Sequence, residues 1–146
     1  MAQLWALPPR IKILEALGAI ADDRIKASDN SAAVMGSAGD RRYKVDWDGG
    51  MKITCDDSGS VHKGYLGYPA LALLMVRGVL PIDRKMSEGL KGIRWRELNE
   101  KYKAYWKTEF VVGKILNRKG VPDSEINTYC DAVLAKLRKL KLERLE

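Results

Sequence analysis

The chain has 146 residues, 46% hydrophobic and 31% charged, with a formal net charge of +7. This length and apolar content fit one folded domain, or a small domain with a helical extension, and exclude a disordered tail or a low-complexity array. The charge is uneven: residues 1–90 hold 12 Lys and Arg against 11 Asp and Glu, whereas residues 91–146 hold 14 against 8, so an anionic partner is expected at the C-terminal third.

The segment before Arg10 meets Pro8 and Pro9 too early to form the apolar stretch of a signal peptide. Behind Pro9, Ile11, Leu14, Leu17 and Ile20 recur at helical spacing and predict a first helix ending near Ala21. From Arg24 the pattern shortens into segments 24–28, 32–37, 41–47 and 51–55, separated by Asp29-Asn30, Gly39-Asp40 and Gly49-Gly50. Those junctions suit hairpin turns, and Tyr43, Val45 and Trp47 alternate with Lys44 and Asp46 as a half-buried strand should, so a small antiparallel meander is predicted.

Residues 56–68 read as a polar, Gly-containing loop and 69–79 as a buried helix closed by Gly78 and Pro81. The apolar run from Tyr65 to Pro81 is too short, and too interrupted by Gly67, Pro69, Arg77 and Gly78, to span a bilayer. A connector at 82–92 leads to a long helix predicted over 94–119, broken by Gly120-Val121-Pro122. A last helix then begins near Asp123, with Ile126, Tyr129, Cys130, Val133, Leu137 and Leu140 on one face. The fold class is therefore α+β: a small antiparallel β-meander packed with helices, and a C-terminal antiparallel helical hairpin. Residues 1–92 form the core and 93–146 the basic hairpin, together one compact unit.

On one continuous helix, Arg96, Lys103, Lys107, Lys114 and Arg118 fall on a single strip at about 100° per residue. At about 1.5 Å rise per residue the strip extends roughly 33 Å, enough to follow a nucleic-acid backbone across several phosphates. Arg94, Lys136 and Lys139 are outlying contacts. Trp95, Leu98, Tyr102, Tyr105, Trp106, Phe110, Val112 and Leu116 occupy the adjacent arc. Tyr102, Tyr105 and Trp106 have two readings: stacking on unpaired bases, or packing on the last helix, which the periodicity favours.

Residues 32–76 carry a Tyr43-x-Val45 strand, Cys55, a Gly-containing loop and the Ala/Leu-rich run from Ala70 to Val76. This order resembles the SWIM-type zinc finger, a hairpin and helix in which Cys-x-Cys and Cys-x-His hold zinc. The resemblance implies binding to DNA or protein, with Cys55 as the first metal position. The other three positions are Asp57, Gly67 and Pro69, and zinc needs about four N or S donors. A metal-free finger is expected, with apolar packing in place of zinc; no metal site and no cofactor are assigned.

Cys55 and His62 form no recognisable nucleophile and base, for want of an orienting third residue. Asp46, Asp48, Asp56 and Asp57 offer a divalent-ion reading for phosphodiester cleavage, but such carboxylates more often cap turns. The glycines at 36–39 and 49–50 lack the Gly-Lys-Ser/Thr ending of a phosphate loop. The residues thus point to a non-catalytic nucleic-acid-binding protein, DNA or RNA, with phosphate contacts at Arg96, Lys103, Lys107, Lys114 and Arg118. A protein-interaction or homodimer module using Trp5, Leu7, Leu142 and Leu145 is the alternative, and a metal-dependent nuclease the third. Two thiols without disulfide spacing and no membrane segment place the protein in the cytoplasm.

Overall fold

A computed structural model describes residues 3–145. Helix α1 (Arg10–Ala21) is followed by the strands β1 (Ile25–Ala27), β2 (Ser31–Met35), β3 (Arg42–Trp47) and β4 (Lys52–Cys55). These form the expected antiparallel meander, with Val34 opposite Tyr43 and Val45 opposite Cys55. A π-helical turn over Gly59–Lys63 precedes α2 (Tyr68–Val76). Then come α3 (Arg84–Gly89), α4 (Trp95–Tyr102), α5 (Tyr105–Arg118), α6 (Asp123–Leu140) and β5 (Glu143–Arg144).

Helix α2 is apolar on every side and buried from Pro69 to Met75, as a helix covered all round must be. Ala32, Val34, Val45, Ile53 and Cys55 from the inner face of the sheet join it in one core. Helix α1 packs on α2 and is itself covered by α3, α5 and α6. Ile11, Leu14 and Leu17 are fully buried there, each contributing roughly 1.5–3 kcal/mol through removal from water. The same core takes in Val112, Leu116, Val133 and Leu137, so residues from both the N-terminal and C-terminal parts share one interior. Among the described residues no helix is long and apolar enough to cross a membrane.

The structure departs from the predicted elements in three places. The connector contains α3, started by Asp83, whose Oδ1 accepts the Met86 N–H at 3.0 Å. The sheet gains β5, parallel to β4 with Lys52 opposite Glu143. The N-terminal residues hold it in place: Trp5 N–H donates to Leu142 O at 3.0 Å, Arg144 N–H to Gln3 O at 2.9 Å, and Trp5 Nε1 to Ile53 O at 2.8 Å.

The third departure is that the long helix is two helices. Lys103 adopts a left-handed conformation (φ 53°) and closes α4, its N–H donating to Asn99 O at 2.9 Å, while Ala104 is extended. On one straight helix Trp95 and Val112 lie about 100° apart, so a continuous rod cannot turn both squarely inward. The break lets α4 bury Trp95 against α1 while α5 independently buries Thr108, Val112 and Leu116. It also brings the Tyr105 hydroxyl within 2.9 Å of the Tyr65 hydroxyl.

Candidate nucleic-acid interface

The break redistributes the five predicted cations. Arg96 lies on α4, Lys103 in the break, and Lys107, Lys114 and Arg118 on α5. Arg96 is held by two carboxylates, ion-paired with Asp40 and, at 3.2 Å, with Glu100. Its hydrogen bond holds the Asp40 carboxyl below the ordinary aspartate value. A phosphate would have to displace those acids, so Arg96 does not belong with the other four. Among the described residues, Lys103, Lys107, Lys114 and Arg118 are exposed and have no carboxylate within ion-pair distance. Arg94 pairs with Glu97 at 3.6 Å.

The rotation of α5 also decides the two readings of its aromatic residues. With Thr108, Val112 and Leu116 inward, Trp106 and Phe110 turn to solvent, 68% and 62% exposed. Tyr105 and Tyr102 are half-buried. Packing therefore describes Tyr105, which joins the core margin, and fails for Trp106. Phe110, placed among the docking residues by periodicity, is equally free. On one continuous helix Trp106 and Phe110 would lie within about 60° of the inward-facing Trp95; the break, which no Gly or Pro marks, turns them out.

Along α5 three stripes run side by side: the buried row, then Trp106, Phe110 and Asn117, then Lys107, Lys114 and Arg118. Lys107 Nζ sits 5.5 Å from the Trp106 ring centre and Lys114 Nζ 5.1 Å from that of Phe110, in cation–π range. Beside the aromatic stripe a shallow groove of about 300 Å³ separates α5 from the start of α6, floored by Gly113 and Ile126 and edged by Asn117 and Asn127. Its acids are engaged within the protein: Glu109 pairs with Arg10 at 3.1 Å, and Asp123 accepts from Asn117 Nδ2 at 3.0 Å. Such a surface offers flat faces for bases and cations for the linking phosphates.

The other chemical candidates are occupied. Asp48 Oδ1 accepts the Gly50 and Lys52 N–H groups at 2.8 and 3.0 Å, closing a turn, and those bonds depress its pKa. Asp46 pairs with Lys44 at 3.7 Å, and Asp56 accepts the Lys44 N–H at 2.8 Å. Cys55 is buried, and burial with the nearby Asp57 charge pushes its thiol pKa upward, away from a thiolate nucleophile. His62 is exposed on the π-helical turn. Cys130, also buried and free, is pushed up to about 11 by burial.

Three of the four finger positions meet in space. The buried Asp57 carboxylate takes a 2.5 Å hydrogen bond from Ser60 Oγ, which in turn accepts the Gly67 N–H at 3.1 Å. A Cβ at Gly67 would fall inside that carboxylate. Zinc does not fit here: Cys55 is one soft donor, Asp57 is already bonded, and Gly67 and Pro69 present no ligand atoms. The expectation of apolar packing in place of the metal is corrected, since a hydrogen-bonded carboxylate fills the centre. Among the described residues no group of three or more His, Cys, Asp or Glu is arranged to hold a metal ion.

The residues of the protein-interaction alternative are largely used internally. Leu142 is buried and Trp5 is pinned to β4, with the Arg144 guanidinium 4.4 Å from its ring centre. Leu4 and Leu7 remain exposed beside an apolar groove of about 170 Å³ that reaches Leu66 and Leu137. No curated protein and no solved structure matches the chain. Residues 5–143 do match a family described as uncharacterised conserved protein UCP014422, and with nearly its whole length covered, the chain belongs to that family.

Proposed function

We propose that the protein is a non-catalytic, cytoplasmic nucleic-acid-binding protein that takes single strands on the exposed face of α5. One observation carries the reading: Trp106 and Phe110 stand in solvent beside Lys107, Lys114 and Arg118, cations with no acid partner among the described residues. A face built only to be solvated has no use for two large exposed aromatic rings, whereas unpaired bases stack on such rings and their phosphates pair with Lys and Arg. Duplex binding would use the cations alone and would be weaker and nearly indifferent to sequence. The resemblance of residues 32–76 to a SWIM-type finger agrees in direction.

Fluorescence anisotropy with labelled single- and double-stranded DNA and RNA, at two salt concentrations, tests this. Salt-sensitive binding that prefers single strands is expected. Lys114→Ala should weaken it for every sequence and lower the salt slope by about one unit. Undiminished binding by Lys107→Glu/Lys114→Glu would refute the assignment.

A second reading is a protein-interaction module docking through Leu4 and Leu7, favoured by the exposure of Leu4 (56%) beside the apolar groove. A stable oligomer by light scattering, dispersed by Leu4→Glu and indifferent to nucleic acid, would establish it instead.

A further inference from the structure

A separate cleft of about 430 Å³ opens between α1, the β2–β3 turn and α4. Its wall includes Glu15, which is only 3% exposed. Glu15 holds Lys12 at 3.2 Å and the Asn99 Nδ2 donor at 3.0 Å. A buried carboxylate tied to a lysine and an amide, next to open space, belongs more to a binding wall than to a core. Among the described residues two further covered atoms of the wall make no hydrogen bond, Asn99 Oδ1 and Arg24 Nη2, the rest of the Arg24 guanidinium being held by Met35 O at 2.7 Å and Asp22 at 3.5 Å. Tyr43 and Tyr68, edge to face with ring centres 6.0 Å apart, line the same cleft. At the rim Arg41 is exposed, with no carboxylate in ion-pair range among the described residues.

The geometry assigns this cleft as a binding site for a nucleotide, free or as the phosphorylated end of a strand. A bare phosphate or carboxylate would satisfy Arg24 and leave the Asn99 acceptor unmatched. An apolar ligand would satisfy neither. A nucleobase presents donors and acceptors on one edge, a flat face for a tyrosine ring, and a phosphate about one sugar away for Arg41. The volume is that of one such unit rather than a chain of them. The assignment stands independently of the α5 surface, which contributes no residue to the cleft.

The full-length protein is titrated with each ribonucleoside 5′-monophosphate, the matching nucleosides and inorganic phosphate, followed by amide chemical shifts and calorimetry. At least one nucleotide should saturate, moving Tyr43, Tyr68 and Asn99, with its nucleoside about tenfold weaker or more and phosphate alone not saturating. Arg41→Glu, at an exposed position that leaves the fold intact by circular dichroism, should weaken the nucleotide about ten- to a hundredfold. Tyr43→Phe keeps the ring and should cost less. Trp106→Ala should leave nucleotide binding unchanged, so loss of strand binding in that variant tests the α5 reading alone. A 5′-phosphorylated trinucleotide that binds Trp106→Ala more tightly than the free nucleotide does identifies the strand end as the source. The assignment is overturned if neither nucleotide nor phosphorylated trinucleotide binds at millimolar concentration, or if Arg41→Glu binds as well as the parent.

Discussion

The acids around the sheet and the cations of α5 have been treated differently by the same fold. Asp48, Asp56 and Asp57 each accept hydrogen bonds from backbone or hydroxyl groups within twelve residues of chain, so their charge completes local structure. Lys107, Lys114 and Arg118 sit on a helix whose opposite side is firmly buried, and Lys107 and Lys114 lie over the aromatic rings of Trp106 and Phe110. A polar side chain that a fold needs is bonded by it. One that it holds in place and leaves unbonded is available for a partner, and on α5 such cations stand beside the exposed Trp106 and Phe110 rings, which the +7 total does not reveal.

The contrast is sharpest under substitution. Gly67→Ala drives a methyl group into the Asp57 carboxylate and should destabilise the protein by about 3 kcal/mol or more, read from urea denaturation. A loss under about 1 kcal/mol would mean that the Asp57–Ser60 centre is pliable and the sheet region less determined than described. Trp106→Ala/Phe110→Ala should leave the denaturation midpoint nearly unmoved, since both rings are solvent-exposed, yet reduce single-strand affinity by about 1–3 kcal/mol for each stacked base. The reverse pattern, lost stability with retained affinity, would make the rings structural.

Smaller effects probe the boundary between the regions. Lys103→Gly relieves a left-handed lysine and should stabilise the fold by up to about 1 kcal/mol; destabilisation would favour one continuous helix. The smallest effect is at Asp40. Its folded pKa is depressed by Arg96, so its contribution is present above the unfolded value of about 3.9 and is lost as pH falls through the folded value. Arg96→Met should raise the Asp40 pKa in an NMR titration and erase the difference in stability from the parent at pH values below both.

What the amino-acid sequence reveals follows from how local the cause is. The meander is legible because Asn, Asp and Gly mark its turns and Tyr43, Val45 and Trp47 alternate; α2 is legible because nothing polar interrupts it. Helix α3 has a readable signal in Asp83, which caps it, followed by Met86 and Leu90. Strand β5 left none: two residues, Glu143 and Arg144, carry no pattern, and their pairing comes from Trp5 and Ile53 far away. The Lys103 break is equally silent, because lysine has no preference for positive φ and the bend arises from burying Trp95 and Val112 together. The α5 site was therefore half legible, its cations visible by spacing and the exposure of Trp106 and Phe110 hidden by the break. The cleft, assembled from Glu15, Tyr43 and Asn99 on three different elements and Arg24 in the turn between α1 and β1, has no signature in one dimension.

The pairing of residues 3–5 with 142–144 brings the two described ends side by side. A short Gly/Ser bridge could join those ends, and the chain could be reopened at the exposed Gly120 turn, giving a circular permutant in which α5 ends the polypeptide and α6 begins it. The aromatic and cationic stripes would then lie at a terminus, where a label could be attached beside them without entering the core.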